Sequence, residues 1–235
     1  MVSPNFDIIN EAKNFVKDSM KSNDPSHDWN HVERVYKMSV YLANAEKKLD
    51  QNLQFDLDVV ELAALFHDIV DFKYNTDKSN LDEISEKILN DFLSQFNYPK
   101  QKIDKIFYII SNISWRKQLE ASSKEGDVPF ELKVVRDADR LDAIGAIGVA
   151  RCMAFTGAKN RPFYQKDLKP IENMTADQYN KQTVKNDSTA INHFHEKLVK
   201  IKDKMLTETG KKLALDRHNF MVQYLDQFEK ELQLV

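Results

Sequence analysis

The chain has 235 residues, 42% hydrophobic and 30% charged, enough to bury the core of one large or two small domains. Its 34 Lys and Arg against 37 Asp and Glu leave a formal net charge of −3 with no basic block, so neither nucleic acid nor an anionic membrane is expected as a partner. A lone cysteine, Cys152, excludes an internal disulfide and a cysteine-based zinc cluster, and five glycines with six prolines favour long helices with few tight turns.

The spacing of Phe6, Ile8, Ile9, Ala12, Phe15, Val16 and Met20 predicts a first helix over 5–22. After the turn-forming SNDPS at 22–26, a second helix runs over about 28–49, burying Val32, Val35, Met38 and Leu42, with Ser26 or Asp28 as its N-cap. A third begins near Asp56 or Asp58 and carries the stretch LAALFHDIVDFKY at 62–74. Residues 75–80 connect it to helices over 81–96 and 100–115, which Asn97, Tyr98 and Pro99 separate. A loop at 121–129 precedes a helix over 131–155. Residues 157–190 are irregular, a connection long enough to serve as a lid. The remainder, 191–234, reads as one or two amphipathic helices, with Gly210 as the break in the two-helix reading. No strand alternation or repeat is sustained. The expected fold is an all-α, single-domain bundle over 1–235, with its chemistry in about 26–155 and C-terminal helices over 191–234. The first fifteen residues are too charged for a secretory signal and no run spans a bilayer, so a cytoplasmic protein is expected.

The chemistry concentrates in three places. Within 62–74 an apolar run delivers adjacent His67 and Asp68. Burying an imidazole and a carboxylate together is costly unless both are satisfied, and a divalent cation satisfies both. A hydrogen-bonded structural pair is the plain alternative. The other two places are HDWNH at 27–31 and RDADRLD at 136–142. At about 100° per residue Asp137 and Asp139 point to nearly opposite sides of a helix, so at most one faces a shared metal. Asp139 and Asp142 fall closer together, and helical geometry alone does not choose between them. His193, His195 and His218 read as packing or surface residues. NRPFY at 160–164 reads as an ordered loop, although Arg161 or Tyr164 could touch a substrate.

The order His31, His67-Asp68, Asp139, set in H-x-x-R-V (31–35), A-A-L-x-H-D (63–68) and A-D-R-L (138–141), resembles the signature of the HD-domain superfamily of metal-dependent phosphohydrolases. The segments DADRLDAIGAIGVAR (137–151) and HEKLVKIKDKMLTETGKKLA (195–214) resemble a compact stand-alone branch that includes nucleoside triphosphate pyrophosphohydrolases, and the likeness covers nearly the whole chain. The resemblance implies His31, His67, Asp68 and Asp139 as ligands of one divalent metal, manganese first among manganese, magnesium, cobalt, nickel, iron and zinc. It implies a nucleotide as substrate. Asp71, about one turn beyond Asp68, is the candidate to orient water or relay its proton. Lys73 and Arg116 are candidate phosphate clamps, and His27 a candidate contact to a phosphate oxygen. Two other readings are a nucleotide-binding module without turnover and a di-iron oxygenase, the latter needing a second adjacent histidine that the chain lacks. A homodimer is among the assemblies the sequence allows.

Overall fold

A computed structural model describes residues 4–21, 23–69, 81–115, 117–118, 128–172, 174–175, 178 and 188–234. These residues form helices and turns, with no strand among them, as expected. The helices are α1 (Pro4–Ser19), α2 (Trp29–Leu49), α3 (Leu57–Phe66), α4 (Leu81–Ser94), α5 (Lys100–Asn112), α6 (Phe130–Asp142), α7 (Gly145–Ala158), α8 (Ala190–Glu196) and α9 (Glu208–Leu232). A 3₁₀ helix, Leu198–Lys204, joins α8 to α9.

The bundle is organised around α3. Val59, Val60 and every residue from Leu62 to Phe66 are buried, so this helix is apolar over most of its surface, with Asp58 and Glu61 as its charged positions. Such a helix needs neighbours over that surface. Helices α1, α2, α5 and α6 supply them. Phe66, at its end, packs against Phe15 (ring centroids 6.0 Å apart) and Phe92 (5.3 Å). Phe66→Ala is expected to lower the unfolding free energy by about 3–5 kcal/mol, the usual cost of emptying a buried aromatic site, read as a lower urea midpoint with unchanged slope.

Three boundaries differ from the sequence-based expectation. Helix α3 stops at Phe66, with His67 as its C-cap, so His67 and Asp68 sit on the turn beyond the helix and not within it. The single helix expected over 131–155 is two helices bent by 69°. Gly145 takes φ +75°, a left-handed conformation in which a right-handed helix cannot continue. The C-terminal break falls at Met205–Thr207, not at Gly210, which lies in the first turn of α9.

That last junction is held from α6. The buried Asp137 carboxylate accepts from the backbone N–H of Leu206 (3.0 Å) and of Thr207 (2.7 Å) and from the Thr207 hydroxyl (2.7 Å). Thr207 in turn caps α9 by accepting from the Gly210 N–H. A Cβ on Gly210 would lie 2.5 Å from Asp137 Oδ2, so the close approach of helix to carboxylate requires glycine there. Burial pushes the Asp137 carboxyl up to about 6 despite the hydrogen bonds from Thr207 and Leu206, which pull the other way.

Among the described residues no single helix is long and apolar enough to cross a membrane. The bent pair α6–α7 meets that test only when taken together, and α6 carries buried Arg136, Asp137, Arg140 and Asp142.

Candidate metal centre

Three helix ends converge beside α3. Asp28 caps α2 by accepting from the His31 N–H, which sets His31 in the first turn with its ring inward and fully buried. The chain leaving α3 presents His67 and Asp68. Asp139 lies in the last turn of α6. His31 Nε2 is 3.1 Å from His67 Nε2, 3.2 Å from Asp68 Oδ2 and 3.7 Å from Asp139 Oδ1. His67 Nε2 is 3.6 Å from Asp68 Oδ2 and 3.9 Å from Asp139 Oδ1.

Hydrogen bonds behind the rings fix which nitrogens face inward. The Ala64 carbonyl lies 2.8 Å from His67 Nδ1 and can only accept, so Nδ1 carries the proton and Nε2 a lone pair. Likewise Asp142 Oδ2 lies 2.7 Å from His31 Nδ1. With both rings neutral, the two Nε2 atoms turn lone pairs toward each other at 3.1 Å, flanked by two carboxylates. That arrangement is unstable without positive charge between the groups. A proton on one ring supplies it for His31 and Asp68 alone, whereas a divalent cation supplies it for all four groups, and in a shell with bonds of about 2.1 Å neighbouring ligand atoms stand about 3.0–3.4 Å apart, near the 3.1–3.9 Å found here. One nitrogen or oxygen from each of His31, His67 and Asp139 lies within 4.8 Å of the other two, which makes these residues a candidate metal site.

The electrostatics agree. Burial works against charge on Asp68, yet the field of His67 and the hydrogen bond with His31 hold its carboxyl well below the usual range. For Asp139 burial is likewise outweighed, by Arg140 first and then by the two histidines. Both are therefore carboxylates at neutral pH, as ligation requires. Burial alone would lower the His31 imidazole, but its hydrogen bonds with Asp142 and Asp68 leave it raised.

A second ring of charge orients the first. Asp139 turns Oδ2 to Arg140 Nη1 (2.7 Å), which leaves Oδ1 toward the histidines. Arg140 is pinned by the Ile113 carbonyl (2.7 Å) and lies over the Trp115 ring. Asp142, besides holding His31, accepts from Arg34 Nε (2.7 Å) and pairs with Arg151 Nη1 (3.1 Å). Burial is outweighed there by His31 and Arg34, and the Asp142 carboxyl titrates far below its ordinary range.

His27 stands beside the centre, its ring centroid 5.8 Å from that of His31 and its Nδ1 2.8 Å from the Ser26 hydroxyl. Asp137 points away, into the α9 junction, as the helical geometry required. Asp71, Lys73 and Arg116 lie outside the described residues. Sequence reasoning left Asp142 as the alternative to Asp139 for the metal and Arg140 as a partner for the acids of 137–142, and assigned no task to Arg34 or Arg151. The i, i+3 spacing of His31 and Arg34 was the available hint of a shared partner.

A model of the HD domain matches residues 28–144. YpgQ of Bacillus subtilis (strain 168) is 33% identical over 223 residues, 94% of this chain and 92% of the relative. The solved structure of that protein in complex with ADP matches at a TM-score of 0.70 and 31% identity, covering 97% of this chain and 96% of the other. A Lactobacillus plantarum structure matches at a TM-score of 0.79 and 31% identity over 97% of both chains. An HD-superfamily hydrolase from Bacillus thuringiensis matches at 0.68 and 32%, covering 97% and 98%.

Proposed function

Since the chain belongs to the HD domain superfamily, we propose that it is a metal-dependent phosphohydrolase whose substrate is a nucleotide, cleaved as the triphosphate to monophosphate and pyrophosphate. His31, His67, Asp68 and Asp139 hold one divalent ion, the mixed nitrogen and oxygen set suiting manganese, cobalt, nickel, iron or magnesium and not excluding zinc. When bound, such an ion supplies an acidified water and a Lewis acid for a phosphoryl oxygen. Arg140 keeps Asp139 ionised and aimed, and Asp142 keeps the His31 lone pair facing inward. Asp71 accepts or relays the proton of the attacking water, while Lys73 and Arg116 balance charge on the phosphates and His27 contacts a phosphate oxygen. The observation that carries this reading is the convergence of the two Nε2 atoms, 3.1 Å apart, with the Asp68 and Asp139 carboxylates. The ADP bound to YpgQ supports the nucleotide part of it. The lone cysteine supports a reducing compartment, the cytoplasm, as the place of action.

The test is a substrate panel on metal-stripped protein, reloaded one ion at a time, with every product identified. Turnover of nucleoside triphosphates to monophosphate and pyrophosphate, only in the reloaded protein, is the expected result. Orthophosphate released from monophosphates makes the protein a phosphatase instead. Metal bound with no turnover of any phosphate compound leaves a binding module, and two irons per chain favour the oxygenase.

A further inference from the structure

Helix α9 comes from the far end of the chain and carries none of the four candidate ligands, yet it is fastened at two points to the helix that carries Asp139. The first is the junction at Met205–Thr207, where the Asp137 carboxylate accepts from the Leu206 and Thr207 N–H groups. Beside it the Thr209 N–H donates to Glu46 Oε1 of α2 (2.7 Å), so the start of α9 ties together the helices that bear Asp139 and His31. The second is Arg217, further along α9, whose Nη1 donates to the Leu141 carbonyl in the last turn of α6. Asp137 and Leu141 stand two residues either side of Asp139.

The backbone makes room for Arg217. A Cβ on Gly145, which opens α7, would lie 2.9 Å from the Arg217 Cγ and 3.0 Å from its Cβ. Those atoms sit close to the α9 backbone and cannot swing aside as the tip of a long side chain can. Burial works against the charge of the guanidinium, and the field of Asp142 works for it. A residue that only packed there would need no charge. A cation does suit a helix C-terminus, where the last carbonyls lack partners within the helix and carry partial negative charge. Arg151 from α7 takes the Asp142 carbonyl (3.2 Å) in the same way, so the end of α6 is gripped from both following helices. That turn presents Asp139 Oδ1 3.7 Å from His31 Nε2 and Asp142 Oδ2 2.7 Å from His31 Nδ1.

We infer that Arg217 is a positioning residue for the metal centre: it fixes the last turn of α6 from α9, so that Asp139 and Asp142 stand at the distances the histidines require. The inference rests on the metal-centre part of the phosphohydrolase reading and on no particular substrate.

The test uses full-length, metal-stripped protein, titrated calorimetrically with manganese and separately loaded with cobalt, whose visible absorption spectrum reports ligand geometry. Arg217→Met keeps most of the stem and removes every donor. Its manganese affinity is expected to fall about tenfold, the low end of the loss when a group that orients a metal ligand is removed, and its cobalt bands are expected to shift. Arg217→Gln is expected to lose as much, and Arg217→Lys, which keeps a cation, to recover part of both readouts. Leu225→Ala is the control for stability alone, since Leu225 is buried about two turns further along the same helix. It is expected to melt below wild type with the wild-type manganese affinity and cobalt spectrum. Wild-type affinity and spectrum in whichever of Arg217→Met and Arg217→Gln folds overturn the inference. So does a loss of metal affinity that Leu225→Ala reproduces, because Arg217 then only stabilises the bundle. Wild type that takes up neither ion removes the metal centre itself, and this inference with it. Wild type that binds metal without hydrolysing anything, beside a tenfold loss in Arg217→Met, supports the inference while the hydrolase reading fails.

Discussion

Asp68→Ala is expected to abolish metal-dependent hydrolysis, with kcat lowered at least about a thousandfold at any metal concentration, while the helical circular dichroism stays that of wild type. The Asp68 carboxylate lies 3.2 Å from His31 Nε2 and 3.6 Å from His67 Nε2, so its removal takes one negative ligand from the cluster. Asp68 lies beyond the end of α3 and carries no helix, so the bundle does not depend on it. What remains is two facing imidazoles and Asp139, and the tendency of one imidazole to bind a proton replaces the tendency of both to bind a metal. Asp68→Asn is the sharper variant, since it keeps the shape and removes only the charge. Should either purified variant bind manganese and hydrolyse a nucleotide as wild type does, the centre proposed here is not the place of reaction. Tryptophan fluorescence and calorimetric metal titration read binding independently of turnover.

The parts of this site that could be read from the sequence are those governed by local geometry. Asp28 ahead of an apolar stripe is a cap by its chemistry, and the cap is what sets His31 in the first turn. The rotation of about 100° per residue already put Asp137 and Asp139 on opposite sides, and the first holds the α9 junction while the second faces the two histidines. Ala63, Ala64 and Leu65 all point into neighbouring helices, which is why that stretch shows no amphipathic stripe. Other parts depend on pairings at long range. Asp142 meets His31 across 111 positions, and nothing local distinguishes a carboxylate buried against an imidazole from one on a solvated face. Arg151 reaches Ser26 across 125 positions for the same reason. The break between α6 and α7 did have a local signal in Gly145, but glycine in an apolar helix is tolerated often enough that only the observed positive φ decides it.

Asp142→Ala separates holding a ligand in place from being one. In wild type this carboxylate accepts the His31 Nδ1–H and pairs with Arg34 and Arg151, and the group is almost wholly buried. Deleting it leaves the partly buried Arg151 guanidinium without its carboxylate and the His31 ring free to change tautomer or rotate. Breaking a buried charge pair from one side costs about 3–5 kcal/mol, here reduced because Arg34 is about a third exposed and regains water. Loss of a partner that orients a metal-binding histidine costs about 10–100-fold in metal affinity. The variant is therefore expected to melt below wild type and to need far more metal for half-maximal activity. Its kcat at saturating metal should recover most of the wild-type value, because His31 is still present to bind. Asp142→Asn keeps an acceptor for His31 but sets an amide against the two arginines, so its metal affinity should fall between wild type and alanine. Recovery of Asp142→Ala by added metal, beside no recovery of Asp68→Ala, is the pattern that assigns the two carboxylates to different tasks. The same unrecoverable loss in both would make Asp142 a ligand, and wild-type metal affinity in Asp142→Ala would show that the His31 ring needs no anchor.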